Sequence, residues 1–311
     1  MKYSSIALDV LTAKECGIIK SNSQFWKSFS ELENFKNEIL NYDSFAKTRQ
    51  KILDEMKNTM IHGFCCLFDD NFPLINKNVK RNSDKPYLLF YKGDLSLLND
   101  LNKNIAIIGQ VDPDDSIIKR EESIVKSIVK EELVVVSGLA LGCDAVAHST
   151  CIDNNGKTIA VLPSTIDKIY PSENKEIAEK IVENGGLLVS EYHKNPISKH
   201  EALSRFIERD RLQAMFSKTI ILISSYRKGE GDSGSRHAME AAKKYGIDRF
   251  VMFNKATDHY NIKFGLNKDL IENEVGVKIL QSSSIEYLKK LKNENLIKTK
   301  NNLSEKQLRF L

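Results

Sequence analysis

From about residue 104 onward, two hydrophobic patterns alternate along the chain. Short, uninterrupted apolar runs occur at 105–109 (IAIIG), 133–137 (LVVVS), 158–162 (TIAVL), 187–190 (LLVS), 219–224 (TIILIS) and 249–253 (RFVMF). Between them lie stretches at about 115–131, 143–154, 173–184, 203–217 and 234–245, whose apolar positions recur every three or four residues. A strand that is apolar at consecutive positions is buried on both faces, and helical crossovers between such strands produce a parallel sheet. The pattern predicts an α/β fold with a Rossmann-like, doubly wound, mostly parallel sheet. YLLFY (87–91) reads as one more strand, and after residue 255 the periodic order weakens. Residues 1–60 carry helical spacing in WKSFSELENFKNEIL and FAKTRQKILDEMKNTM. Three regions are therefore expected: an N-terminal helical module at 1–63, a Rossmann-like core at 64–280 and a basic helical tail at 281–311.

In such sheets ligands gather at the carboxyl ends of the strands. Two turns fall at such ends. Residues 134–145, VVVSGLALGCDA, run from a buried strand through Gly138 and Gly142 into a helix. Gly231-Asp232-Ser233-Gly234-Ser235 follows the strand TIILIS in the same way. Free N–H groups in a helix's first turn favour anions, and glycine lets a phosphate come close to the backbone. Arg209 and Arg211, with Arg205 nearby, add planar guanidinium forks suited to phosphate. Two arginines two positions apart do not share a helix face, which suggests either an irregular segment or one structural and one ligand arginine. A nucleotide or a nucleic acid is the leading ligand.

Other chemistries fit less well. The G-x-G-x-x-G spacing of dinucleotide sites is missing. Gly156-Lys157-Thr158 mimics the end of a P-loop, but position 151 is Cys and a strand follows. Ser137, Asp144 and His148 lack the G-x-S-x-G elbow of a serine nucleophile. The P-G-G-x-G-T-x-x-E motif of phosphoribohydrolases is absent, with Ala238 where its acid belongs and Glu240 two places away. Cys143, His148 and Cys151 have no second ligand pair, so neither a metal nor a cofactor is expected. The net charge is +4, and residues 286–311 hold seven Lys/Arg against three Glu, which accounts for the whole surplus. A polyanion site in the core must therefore be local. Five cysteines without framework spacing, no signal-like start and no apolar run near the roughly 20 residues of a membrane span point to a cytoplasmic protein.

Taken in order, PYLLFYKGD (86–94), NIAIIG (104–109), SGLALGCDAVAHS (137–149), GKTIAVL (156–162), YPSEN (170–174), SEY (190–192), FIERDR (206–211) and SGS with Ala241-Ala242 (233–242) resemble the DNA-processing protein A (DprA/Smf) family of bacteria. The resemblance implies a non-enzymatic protein that binds and protects single-stranded DNA, helps load the RecA recombinase during transformation, and forms a homodimer. It places Ser137, Gly138, Gly142, Lys157, Arg209, Arg211, Ser233, Gly234 and Ser235 at the DNA. Three positions depart from the family pattern. Gln110-Val111 stand where I-V-G-S-R has its arginine, Asp210 interrupts R-N-R, and His237 replaces a threonine after SGS. Residues 281–311 are not expected to form the complete winged helix that many members carry. The lost arginine and the added carboxylate would also suit a smaller ligand, so a sensor or hydrolase of a small nucleotide derivative is the alternative.

Overall fold

A computed structural model describes residues 3–40, 42–57, 63–231, 234–282 and 284–287. Ser233 and nearly all of the basic tail lie outside the described residues.

Among the described residues one nine-stranded sheet organises the chain. Its strands are β1 (Gly63–Cys66), β2 (Leu88–Gly93), β3 (Asn104–Ile108), β4 (Val134–Ser137), β5 (Thr158–Leu162), β6 (Leu187–Ser190), β7 (Thr219–Leu222), β8 (Asp248–Val251) and β9 (Val277–Ile279). They lie in the order β1-β2-β6-β5-β4-β3-β7-β8-β9. From β6 to β9 every pair is parallel, whereas β2 runs antiparallel to both β6 and β1. The mostly parallel, doubly wound sheet read from the apolar runs is thus present.

The uninterrupted apolar strands have the physical cause inferred for them. Ile105 and Ile107 of β3 enter one core, and Ala106 and Ile108 enter another on the opposite face. Helices α5 (Asp115–Lys130) and α6 (Cys143–Asp153) cover the first face. Helices α8 (Lys199–Met215) and α9 (Ser235–Lys244) cover the second. From β3 the chain winds through β4 and β5 to β6, then returns through α8 to β7 on the other side of β3. The direction of winding reverses between β3 and β7, and loops that part at such a point open a crevice at the strands' carboxyl ends.

The N-terminal segment forms α1 (Ser5–Glu15), α2 (Asn22–Ser28), α3 (Leu32–Leu40) and α4 (Phe45–Lys57). Their apolar residues share one core with β1, β2 and α7 (Lys175–Glu183). Phe25 stacks on Tyr87 at 4.3 Å and Tyr3 on Phe64 at 4.6 Å.

Some elements differ from the pattern reading. The order does not lapse after residue 255: α10 (Gly265–Asn273) and the edge strand β9 complete the sheet. β9 escaped notice because it is three residues long, with Lys278 and Ile279 exposed. β1 is four residues, GFCC, too short to show a period. α8 begins four residues earlier than its apolar spacing suggests, because the Ser198 hydroxyl caps it by accepting the Glu201 N–H at 3.1 Å.

Candidate nucleic-acid interface

The loop between β4 and α6 is held from two sides. Inside, the Asp144 carboxylate accepts the N–H groups of Gly138 at 3.1 Å and Ala140 at 3.3 Å. Outside, the buried Asn174 amide donates to the carbonyls of Leu139 and Ala140, both at 2.9 Å. Leu139 has a left-handed φ of 60°, rare for a side chain of this kind, and these contacts over-determine it. Gly142 caps α6 with φ 72° and ψ −126°, a glycine conformation. A Cβ at Gly142 would meet the Gln110 carbonyl oxygen at 2.5 Å, and the neighbouring Cys143 N–H donates to that same oxygen at 3.0 Å. The N–H groups of Leu141, Gly142, Asp144 and Ala145 find no acceptor among the described residues. They form a fixed cluster of donors at the positive end of an 11-residue helix.

The second turn closes on the same rim. Gly234, φ +84°, caps α9, and the Ser235 hydroxyl donates to the Gly109 carbonyl at 3.0 Å. That bond ties the start of α9 to the end of β3, beside Gln110 and hence beside Gly142. Between the two turns stands Arg209, which is buried. Its Nη1 lies where a Cβ of Gly138 would be, donates to the Val161 carbonyl at 3.2 Å and is 3.9 Å from Asp144. Its Nε lies 3.2 Å from Asp210 Oδ1 without hydrogen-bond alignment. The second oxygen of Asp210 would be 3.5 Å from a Cβ on Gly234.

The structure thus brings together Gly138, Gly142, Arg209, Gly234 and Ser235, with Ser137 beneath them. Ser137 is fully buried, and its hydroxyl donates to the Ile107 carbonyl at 2.7 Å, so it braces the sheet. Two predicted residues lie apart from this group. Lys157 precedes β5 at the opposite, amino-terminal rim, where its Nζ donates to the Asn184 carbonyl. Arg211 turns the other way from Arg209 around α8, forms a two-point pair with Glu191 at 2.8 Å per bond and donates to the Asp84 carbonyl. The arginine segment is helical, not irregular, and neither guanidinium is free at the surface.

The charges beneath the rim are unusual. Burial pushes the Asp210 carboxyl up to about 7; Arg209 opposes the shift and Asp144 reinforces it. Burial lowers His148 to about 3, with Arg209 adding to the effect. Thr158 donates to the Val135 carbonyl at 3.0 Å and therefore accepts from His148 Nδ1 at 2.8 Å, which places a proton on Nδ1, while burial keeps the ring neutral. His148 consequently has no link to Ser137. Sequence reasoning gave no structural role to three residues here. Asn174 was visible only as part of YPSEN. Gln110 is wholly buried, with both ends of its amide unpartnered among the described residues. Glu121 is a fully buried acid on α5 whose carboxyl burial pushes far up. Among the described residues no cluster of His, Cys, Asp or Glu could hold a metal, and no helix is long and apolar enough to cross a membrane.

This arrangement can be set beside known proteins. The family model for DNA recombination-mediator protein A matches residues 63–284. The chain belongs to that family. It is 34% identical over 188 residues to the DNA processing protein DprA of Streptococcus pneumoniae, covering 60% of this chain and 61% of that one. It is 33% identical over 171 residues to the Smf protein of a Synechocystis strain, covering 54% of this chain and 41% of the relative. The chain thus spans less than two thirds of the length of these curated relatives. The crystal structure of the S. pneumoniae protein superposes with a TM-score of 0.69 at 26% identity, over 92% of this chain and 97% of that one. A DprA structure from Helicobacter pylori, which describes that protein's single-stranded DNA binding mode, superposes with a TM-score of 0.57 at 27% identity, over 76% of this chain and 96% of that one.

Proposed function

We propose that this chain binds single-stranded DNA without base specificity, by seating backbone phosphates on the turns at Gly142 and Gly234. The observation that carries this reading is the set of N–H groups of Leu141, Gly142, Asp144 and Ala145, which have no acceptor among the described residues and stand on a loop fixed by Asp144 and Asn174. Donors fixed before the ligand arrives cost no ordering entropy on binding. Arg209 lies behind the rim as a buried positive charge and touches no phosphate directly. Family membership and the H. pylori relative support DNA over a small nucleotide. We read the role as holding and protecting a strand in the cytoplasm, in keeping with the family to which the chain belongs. Delivery of that strand to RecA by a homodimer belongs to the same reading.

Substituting Arg209 and Arg211 would be a poor test. It would leave Asp144, Asp210 and Glu191 without their cation, and breaking a buried ion pair costs about 3–5 kcal/mol. Leu141 is 43% exposed on the turn itself. Leu141→Glu should lower affinity for a fluorescent oligothymidylate at least about tenfold while leaving the melting temperature within a degree or two. The salt dependence should be shallow, because main-chain dipoles rather than lysines hold the phosphates. Equal binding by the variant would refute the site. A thermal shift with mononucleotides and none with oligonucleotides would favour the small-nucleotide alternative.

A further inference from the structure

Side chains alternate along β2, so Phe90 and Lys92 stand on the same face of the sheet, and the antiparallel register sets Lys92 opposite Leu188 of β6. This is the face that α7 covers. A cavity of about 320 Å³ remains between this floor, α7 and the segments that follow β5 and β6. Ligand pockets span about 300–1,000 Å³, so it is a small one. Lys175, Ala178 and Glu179, at i, i+3 and i+4 on α7, line one side. Tyr192 and His193 line another, and both rings are held in place. Tyr192 donates its hydroxyl to Glu208 at 2.6 Å, and its ring centre lies 4.1 Å from the Arg205 guanidinium carbon. His193 donates to Glu15 of α1 at 2.7 Å and stacks on Phe90 at 5.3 Å.

The polar groups of this cavity are under-used. Thr165, which also lines it, is 4% exposed, and its hydroxyl has no partner among the described residues. Lys92 is half-buried and makes no hydrogen bond or ion pair among them. Lys175 reaches Glu179 only at 4.0 Å, and Asp167 has no cation beside it among the described residues. An anionic ligand would meet Asp167 and Glu179, and a cationic one Lys92 and Lys175. An aliphatic one would strip water from all of these charges with nothing in return. A neutral planar ring with both donors and acceptors on its edge suits the mixed charges and lays its faces on apolar surface. A nucleobase is such a ring. The cavity shares the rim of the Gly142 turn: Thr165 and Tyr192 lie just past the carboxyl ends of β5 and β6. Lys175 directly follows Asn174, whose amide holds the β4–α6 loop. Resting on the DNA-binding reading above, we propose that this cavity takes one base of the strand whose phosphates seat at Gly142. Lys92 and the Thr165 hydroxyl bond the edge of the base, and Tyr192 and His193 offer it aromatic surface.

The test uses the full chain with a fluorescent oligothymidylate, an abasic oligomer of the same length, and thymidine. Lys92→Met keeps the side-chain stem and removes the ammonium group. It should weaken oligothymidylate binding about fivefold, leave abasic binding unchanged and hold the melting temperature within about two degrees. An oligothymidylate carrying 5-iododeoxyuridine, irradiated in complex with the wild type, should crosslink to Tyr192 or His193 in peptide mapping, a readout that needs no variant. Crosslinks confined to other residues, with equal oligothymidylate affinity for Lys92→Met, would overturn the base pocket and leave DNA binding intact. If neither polymer binds, the DNA reading falls. A thermal shift with thymidine that Lys92→Met abolishes would then assign the pocket to a free nucleoside, and no shift would overturn the pocket as well.

Discussion

Single side chains at the rim are used in ways that their types do not announce. Asp144 looks like a helix-start acid, but it shapes the loop that precedes it by accepting two of its N–H groups. Arg209 looks like a phosphate clamp, yet it is a buried strut between Gly138, Val161 and two carboxylates. Gly142 is a position of the site that a larger residue cannot occupy without moving backbone. A methyl group there would have to occupy space 2.5–2.6 Å from backbone atoms of Gln110 and Val111, at a φ of +72°. Gly142→Ala should cost about 3 kcal/mol or more of stability in urea denaturation, since neither backbone can give way. A loss below about 1 kcal/mol would mean that the two loops are not packed as described.

Between elements, coupling runs through loops rather than through helix faces. Asn174 stands just before α7, yet its side chain secures the loop after β4 by bonding two adjacent carbonyls. Asn174→Ala should leave both carbonyls buried and unpaired, at a cost of about 1–3 kcal/mol. It should also release Leu139 from its left-handed backbone. Hydrogen exchange at residues 139–145 should quicken well beyond that of β5 and β6. Uniform acceleration across the sheet would instead show that Asn174 matters only to global stability. The sequence allowed the strands and helices around this contact to be read, because each has its own hydrophobic period. It could not show the contact, because YPSEN and SGLALGCD lie 26 or more residues apart and share no period.

For the whole molecule, buried titratable groups govern the response to acid. His148 is fully buried and held neutral, its folded value lowered to about 3 from an ordinary 6.5. A lowered value means that the unfolded chain takes up protons first as pH falls. The stabilising contribution is therefore complete above pH 6.5 and is lost progressively toward pH 3. Asp210 works the other way. Its raised value favours the folded state most below the ordinary carboxylate range, and that advantage fades as pH rises through about 7. Denaturation of His148→Asn, whose amide can replace Nδ1 as the donor to Thr158, should therefore lose less stability on acidification than wild type. The difference should be on the order of 3 kcal/mol at pH 4 relative to pH 7. Parallel curves for the two proteins would show that His148 is not the group that charges.

The run of apolar residues by itself determined the sheet, its mostly parallel sense and the rim on which the proposed site lies. Strand burial on two faces and helical crossovers are local consequences of composition and period. The same reading found both glycine turns, because a strand, a small-residue turn and a helix are contiguous in the chain. Only the tertiary structure decided which cations are free and which donors are taken. It placed Lys157 on the far rim, paired Arg211 with Glu191, and buried Arg209 between Asp144 and Asp210. The reason is physical: whether a charged side chain meets a ligand or a neighbour depends on residues brought close by folding, and those distances have no counterpart in sequence spacing.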